Sequence, residues 1–227
     1  MNSRLIDLLK RTIVTIPLLL LLTFLYHNVI LIKDIVIICL VIMVFELFYN
    51  IFKAIKKQIV LLYHGFCNSE LDKVTTPKIK YILLFVGLMI VTFVTMTKIK
   101  YITEKIAFEM VKAIVLVTTS DILQYVFGKM YGNTIFSNKT MWFSPNKTYE
   151  GYLFGCFVAI LGGILLEFNL LTSTIFVISG VLGGIISSAA KRSLQIKDWS
   201  NLLLSHGGFI DRCDGYIIPL TMILLME

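Results

Sequence analysis

Seven apolar runs follow one another along this chain, at about 12–32, 35–52, 81–97, 106–120, 152–168, 170–190 and 208–226. About 20 residues carry a helix across the ~30 Å hydrocarbon layer of a bilayer. Inside that layer every backbone polar group must be bonded within the spanning structure, which selects helices or closed barrels. The runs are continuous rather than alternating, so helices are predicted. The expected fold class is all-α: a polytopic transmembrane helical bundle of about seven spans. The 227 residues leave room for little else, and residues 1–227 read as a single integral membrane domain. Composition agrees, with 57% hydrophobic and 15% charged residues where an ordinary soluble domain has about 25% charged. The first run follows a charged start and has no small-residue cleavage site, so it is expected to be a span rather than a removed signal.

The net charge is +7. In a soluble chain that excess would point to nucleic acid. Here the lysines gather in the short segments between runs, which is the positive-inside pattern, and no nucleic-acid partner is expected. If the N-terminus is cytoplasmic, so are the segments 53–80, 121–151 and 191–207, and together they hold most of the 21 Lys and Arg residues. The expected location is therefore a multi-pass membrane protein with its motif-bearing loops on the cytoplasmic face. Cys39, Cys67, Cys156 and Cys213 show no metal-ligand spacing, and neither disulfides nor zinc are expected. Gly162-Gly163, Gly180 and Gly183-Gly184 are expected to let helices pack closely. A transporter is disfavoured, because no inverted repeat is visible.

The chemistry lies in polar residues at membrane depth. A charge at mid-bilayer costs on the order of 3 kcal/mol on insertion scales, yet Asp211, Arg212 and Asp214 open the last run. Asp211 and Asp214 are three apart, so their carboxylates share a helix face and repel. Either a divalent cation or a salt bridge to Lys191, Arg192 or Lys197 would relieve that repulsion; hard oxygens suit Mg²⁺ or Mn²⁺. Asp198 adds a third carboxylate, and Lys191, Arg192 and Lys197 add three cations. His206-Gly207-Gly208 precedes the helix that carries Asp211, where bare backbone N–H groups would face a phosphate. Cations, amides and carboxylates together are what a nucleoside triphosphate needs. In the preceding loop, Lys147 is placed to hold a phosphate, and Thr148 with Glu150 to cap the helix that follows. Tyr125, Trp142 and Phe143 are expected at the membrane interface, and Glu46 is expected either to line the cavity or to snorkel at its helix end.

The stretch K-R-x4-K-D…H-G-G-x-x-D-R-x-D, Lys191 to Asp214, resembles the signature of the phosphatidate cytidylyltransferase (CDP-diacylglycerol synthase) family. D-x-x-x-Y-x-x-G-K-x-x-G, Asp121 to Gly132, and S-P-x-K-T-x-E-G, Ser144 to Gly151, are similar to two further family motifs in the same order. The motif-bearing part covers about residues 121–220. There are departures. Gln124 stands where the family usually has Ala, and Gly184 and Ser187 stand where it often has carboxylates.

The resemblance implies transfer of CMP from CTP to phosphatidate, giving CDP-diacylglycerol and pyrophosphate. It implies Asp198, Asp211 and Asp214 as ligands of Mg²⁺, with or without a second metal ion, and Lys197 and His206 beside them. Asp121, Ser144, Lys147, Thr148, Lys191, Arg192, Gly207, Gly208 and Arg212 would bind substrate. CTP, phosphatidate and membrane lipid are the expected partners, and a homodimer is the family's expectation. Two alternatives stand beside this: a CTP-dependent polyprenol or dolichol-type kinase, which would move the γ-phosphate, and a non-catalytic relative that binds CTP or lipid.

Overall fold

The computed structural model describes residues 29–68, 79–95, 103–132, 134–136, 140–141, 144–200, 202 and 207–226. His206, Trp142, Phe143 and most of the first apolar run lie outside these residues. The fold is mostly helical, as expected. Helix α1 runs Val29–Asn68, α2 Ile79–Thr95, α3 Glu104–Tyr131, α4 Tyr149–Leu165, α5 Leu170–Ser193, α6 Ile210–Cys213 and α7 Ile217–Met226. One feature was not foreseen. An antiparallel pair, β1 (Thr140–Met141) and β2 (Ser144–Thr148), interrupts the helices between α3 and α4.

The seven spans are not confirmed. Among the described residues, two helices contain stretches long and apolar enough to cross a bilayer, Val36–Lys53 and Leu170–Ser193. Three shorter apolar helices accompany them, Ile82–Val94, Tyr149–Leu165 and Ile217–Met226. Two predicted loops begin as helix. The segment after residue 52 stays helical to Asn68, and α3 continues through Asp121 to Tyr131. The last predicted span is broken, with a turn at 214–216 between α6 and α7. Pro219 accounts for the break. A proline inside a continuous helix lacks the N–H for the bond four residues back and its ring clashes with that carbonyl.

The helix starts are set locally. Thr103 caps α3 by accepting from the Ile106 N–H at 3.4 Å, and Asn169 caps α5 by accepting from the Thr172 N–H at 2.7 Å. Thr148 caps α4, accepting from the Gly151 N–H at 3.2 Å. The other half of the expected cap goes elsewhere. Glu150 is fully buried and its Oε1 accepts from the Ile135 and Phe136 N–H groups at 3.2 and 2.8 Å. It ties the segment before the hairpin down onto α4.

Many large apolar side chains face outward and several polar ones inward, unlike a typical soluble domain. Phe45, Phe48 and Phe52 stand exposed along α1, and Leu153, Phe157 and Leu161 along α4. Glu46, Asn50, Thr92, Gln124, Ser187 and Thr221 are buried. The two long apolar helices fit membrane insertion. Several interior polar groups find partners, as lipid requires. Thr221 lies 3.2 Å from Thr92, and Lys112 pairs with Glu109 at 3.0 Å while lying over the Phe108 and Phe168 rings.

Two apolar clusters hold the helices. Met110, Leu116, Ala159, Phe176 and Ile223 form one; Met43, Phe85, Met89, Trp199, Ile210 and Ile217 form the other. Small residues permit the closest approaches. A Cβ on Gly155 would lie 2.5 Å from the Gln124 nitrogen, and one on Gly183 would lie 2.3 Å from the Asp214 carbonyl oxygen. Gly163 and Gly180 are likewise crowded, whereas Gly162 and Gly184 face open space, so only part of the expected glycine set serves packing.

Candidate active site

The second apolar cluster ends in a layer of charge. Trp199 is the hinge between the two. It is 1% exposed, stacks on Phe85 with ring centroids 5.1 Å apart, and places both of its N–H groups on the polar side. Its backbone N–H donates to Asp211 Oδ2 at 2.8 Å, and its indole N–H donates to Ser187 Oγ at 3.0 Å. Ser187 is in turn hydrogen-bonded to Asp214. A buried indole N–H needs an acceptor, and that need links α5, the 194–200 segment and the turn after α6.

Asp211 is fully engaged by the protein. Its Oδ1 accepts from Lys191 Nζ at 2.5 Å, and its Oδ2 accepts from the Gly208 N–H at 2.8 Å as well as from Trp199. Of the two ways the sequence offered to relieve the Asp211–Asp214 repulsion, a salt bridge to Lys191 is realised. Glu46 reaches across from α1 to the same loop. Its Oε1 accepts from the Phe209 N–H at 3.2 Å and its Oε2 from the Ile210 N–H at 2.7 Å.

These two carboxylates explain the Gly207-Gly208 pair. Gly207 has φ +79°, and a Cβ there would come 3.0 Å from Asp211 Oδ2. A Cβ on Gly208 would fall 2.0 Å from Glu46 Oε1 and 2.8 Å from the Ser200 nitrogen. The N–H groups of Gly208, Phe209 and Ile210 thus already have carboxylate acceptors. The expected open nest of amides for phosphate is not what this loop presents.

A second group of charges converges from α3 and the hairpin. Lys147 Nζ lies 3.1 Å from Asp121 Oδ1 and 3.2 Å from Gln124 Oε1, and 5.0 Å from the centre of the Tyr152 ring. Burial lowers the Lys147 pKa, but the Asp121 carboxylate and the Tyr152 hydroxyl together outweigh it and hold the value above that of an ordinary lysine. The two groups meet. A Cβ on Gly215 would lie 3.9 Å from Asp121 Oδ2, and Asp214 feels the charges of Lys191, Asp121 and Asp211. Asp121, Lys147, Lys191, Asp211 and Asp214 therefore form one electrostatic cluster drawn from α3, β2, α5, α6 and the turn after it.

The remaining expected residues sit around it. Asp198 is exposed beside Gly207, Lys197 and Arg212 are exposed, and Arg192 donates to the Ile196 carbonyl at 3.1 Å. Ser144 pairs with Met141 in the hairpin, and Thr148 has its role as helix cap. His206 lies outside the described residues. Trp199, Tyr152 and Tyr216 were not singled out in the sequence. Tyr216 shares a 2.8 Å hydrogen bond with Thr118 and lies near Asp121 and Asp214. Only Trp199 carried a visible signal: a tryptophan, one of two in the chain, directly after Lys197-Asp198.

Mg²⁺ ordinarily takes one or two protein carboxylates and completes its shell with water and substrate phosphates. Among the described residues no three His, Cys, Asp or Glu side chains converge tightly enough to hold a metal alone. Carboxylates this sparse would suit such an ion only if other donors completed its shell. Asp211 has both oxygens engaged, whereas Asp121 Oδ2 faces the Asp214 turn.

Comparison with known proteins converges on one group. The model of the Cytidylyltransferase family matches residues 3–226. Phosphatidate cytidylyltransferases of Staphylococcus haemolyticus and Staphylococcus aureus are 33% identical to it over 129 residues, covering 51% of this chain and 48% of theirs. The Staphylococcus epidermidis protein of the same name is 31% identical over the same length. The chain spans about half the length of the curated relatives it matches. No solved structure matches.

Proposed function

The chain belongs to the cytidylyltransferase family, and from that membership we propose that it transfers CMP from CTP to phosphatidate, as the name of its relatives says of them. One observation carries this reading: carboxylates and ammonium groups from separate parts of the chain, Asp121 and Asp214 with Lys147 and Lys191, meet in one cluster at the end of an apolar bundle. That is where a headgroup phosphate at a membrane surface and a soluble triphosphate can be brought together. We take the protein to be multi-pass, with this cluster on the cytoplasmic face, because the positive-inside tendency would put its lysine-rich segments on that side.

The reaction forms one bond and breaks one. A phosphate oxygen of phosphatidate attacks the α-phosphorus of CTP, and the bond to the β-phosphate oxygen breaks, releasing pyrophosphate. A phosphate monoester has a second pKa near ~6, so the nucleophile is largely a dianion at neutral pH and needs no strong base. The obstacle is repulsion between anions. Lys147 lowers it from the hairpin side, and its ammonium stays protonated far above neutral pH. Lys197 and Arg212 are exposed and would add positive charge for incoming phosphates. Lys191 is held by Asp211, so its first task is to fix the loop that carries Asp214. Asp121 and Asp214 are the residues that would hold Mg²⁺, in place of the set Asp198, Asp211 and Asp214. Bound there with the nucleotide, the ion would neutralise phosphate charge.

The test uses the purified protein in mixed micelles with phosphatidate, Mg²⁺ and CTP labelled at the α-phosphorus. Label is expected in the lipid phase, with pyrophosphate released in equal amount. Label that never enters lipid overturns the reading.

A further inference from the structure

Lys147 is held by more than its ion pair. Gln124 stands three residues beyond Asp121 on α3, is 4% exposed, and turns its amide oxygen to Lys147 Nζ at 3.2 Å. An ammonium has donors and no acceptor, so the amide oxygen must be the atom that faces it. The other end of the amide is fixed too. Nε2 donates to Ser120 Oγ at 2.9 Å and to Cys156 Sγ at 3.8 Å. Gly155 of α4 closes the site from behind, since a Cβ there would lie 2.9 Å from Gln124 Cγ. The result is a buried amide clamped at both ends, with its oxygen aimed at a partly exposed lysine.

We propose that Gln124 is a positioning residue that holds the Lys147 ammonium beside Asp121 for the incoming triphosphate, as a neutral acceptor that adds no negative charge to the pair. Neutrality is the point. Lys147 with Asp121 is already a net-neutral pair. A second carboxylate would make the pair negative and repel a triphosphate, whereas an alanine would leave one ammonium donor without its acceptor and the long side chain free to turn. The family resemblance puts a small residue at this position, so the clamp is a property of this chain. The geometry stands by itself; the assignment of the triphosphate rests on the function proposed above.

The test is a double-mutant cycle between Gln124→Met and Lys147→Ala. Methionine keeps the volume and removes the acceptor, and thermal unfolding in micelles checks that the fold is retained. A hydrogen bond to a charged group, with Asp121 still in place, implies about a tenfold loss in kcat/KM for CTP in Gln124→Met. The loss should vanish in the Lys147→Ala background, because the group being positioned is gone. Gln124→Glu, which keeps an acceptor but adds charge, should weaken CTP binding more than Gln124→Met does. The same cycle is read on Mg²⁺-dependent CTP binding by calorimetry. An equal loss with and without Lys147, or no loss at all, overturns the positioning role while leaving the transferase reading intact. If the native protein binds CTP but labels no lipid, the transferase reading fails and the binding cycle still decides the role of Gln124. If it binds no CTP, both fail.

Discussion

Glu46→Ala tests how the site loop is held. Glu46 lies on α1, is 6% exposed, and accepts from two N–H groups more than 160 residues away in sequence. The Ile210 N–H is buried at 2.7 Å and the Phe209 N–H is partly buried at 3.2 Å. Removing the carboxylate orphans both. An unsatisfied buried N–H costs about 1–3 kcal/mol, and the partly buried one less, so the sum is about 2–4 kcal/mol. For a chain of this size that corresponds to a drop in Tm of roughly 5–15 °C. Thermal unfolding in detergent micelles measures it, with Asp34→Ala on the exposed side of the same helix as the control, expected within about 0.5 kcal/mol of the native protein. Activity should fall with stability, because the same loop positions Asp211 and the turn that carries Asp214. A Glu46→Ala protein that melts and turns over like the native one refutes the view that this carboxylate anchors the loop.

Further outcomes follow from the same geometry. Gly208→Ala should destabilise by about 1–3 kcal/mol, because its Cβ would fall 2.0 Å from Glu46 Oε1; Glu46→Ala should relieve part of that cost in the double mutant, read by thermal unfolding. Trp199→Phe keeps the stack on Phe85 but deletes the donor to Ser187, with an expected loss of about 1–3 kcal/mol and lower transferase activity measured in micelles. Chelation of divalent cations should abolish activity and Mg²⁺ should restore it. Asp121→Asn and Asp214→Asn should each raise the Mg²⁺ concentration needed for half-maximal rate, whereas Asp198→Asn should change it little.

Much of this could be read in the sequence because lipid imposes simple rules. Apolar runs near 35–52, 81–97, 106–120, 152–168 and 170–190 became α1 to α5, although α1 and α3 run on well past the apolar stretch. Hydropathy marks where a helix can sit in lipid and is blind to where it continues in water. The break before α7 was signalled by Pro219, but the unbroken apolar run hid it. Asp211, Asp214, Lys191, Lys147 and Asp121 were all visible as unusual charges in an apolar chain, and the structure brings them together. Their partners were not visible. Which acceptor Lys191 meets depends on where Asp211 is brought by the fold, and Glu46 meets the Phe209 and Ile210 N–H groups only after α1 packs against them. Gly207-Gly208 was marked as a place where bare backbone would face a phosphate, and the groups that approach it here are carboxylates of the chain itself.

The most direct measurement compares CTP labelled at the α-phosphorus with CTP labelled at the γ-phosphorus, in phosphatidate micelles with Mg²⁺, for the native protein and for Lys147→Met. The account predicts that α-label enters the lipid, that γ-label leaves as pyrophosphate, and that both processes slow markedly, to a still measurable rate, in Lys147→Met. Transfer of γ-label to a lipid, with CDP left behind, would contradict it and make the protein a CTP-dependent lipid kinase.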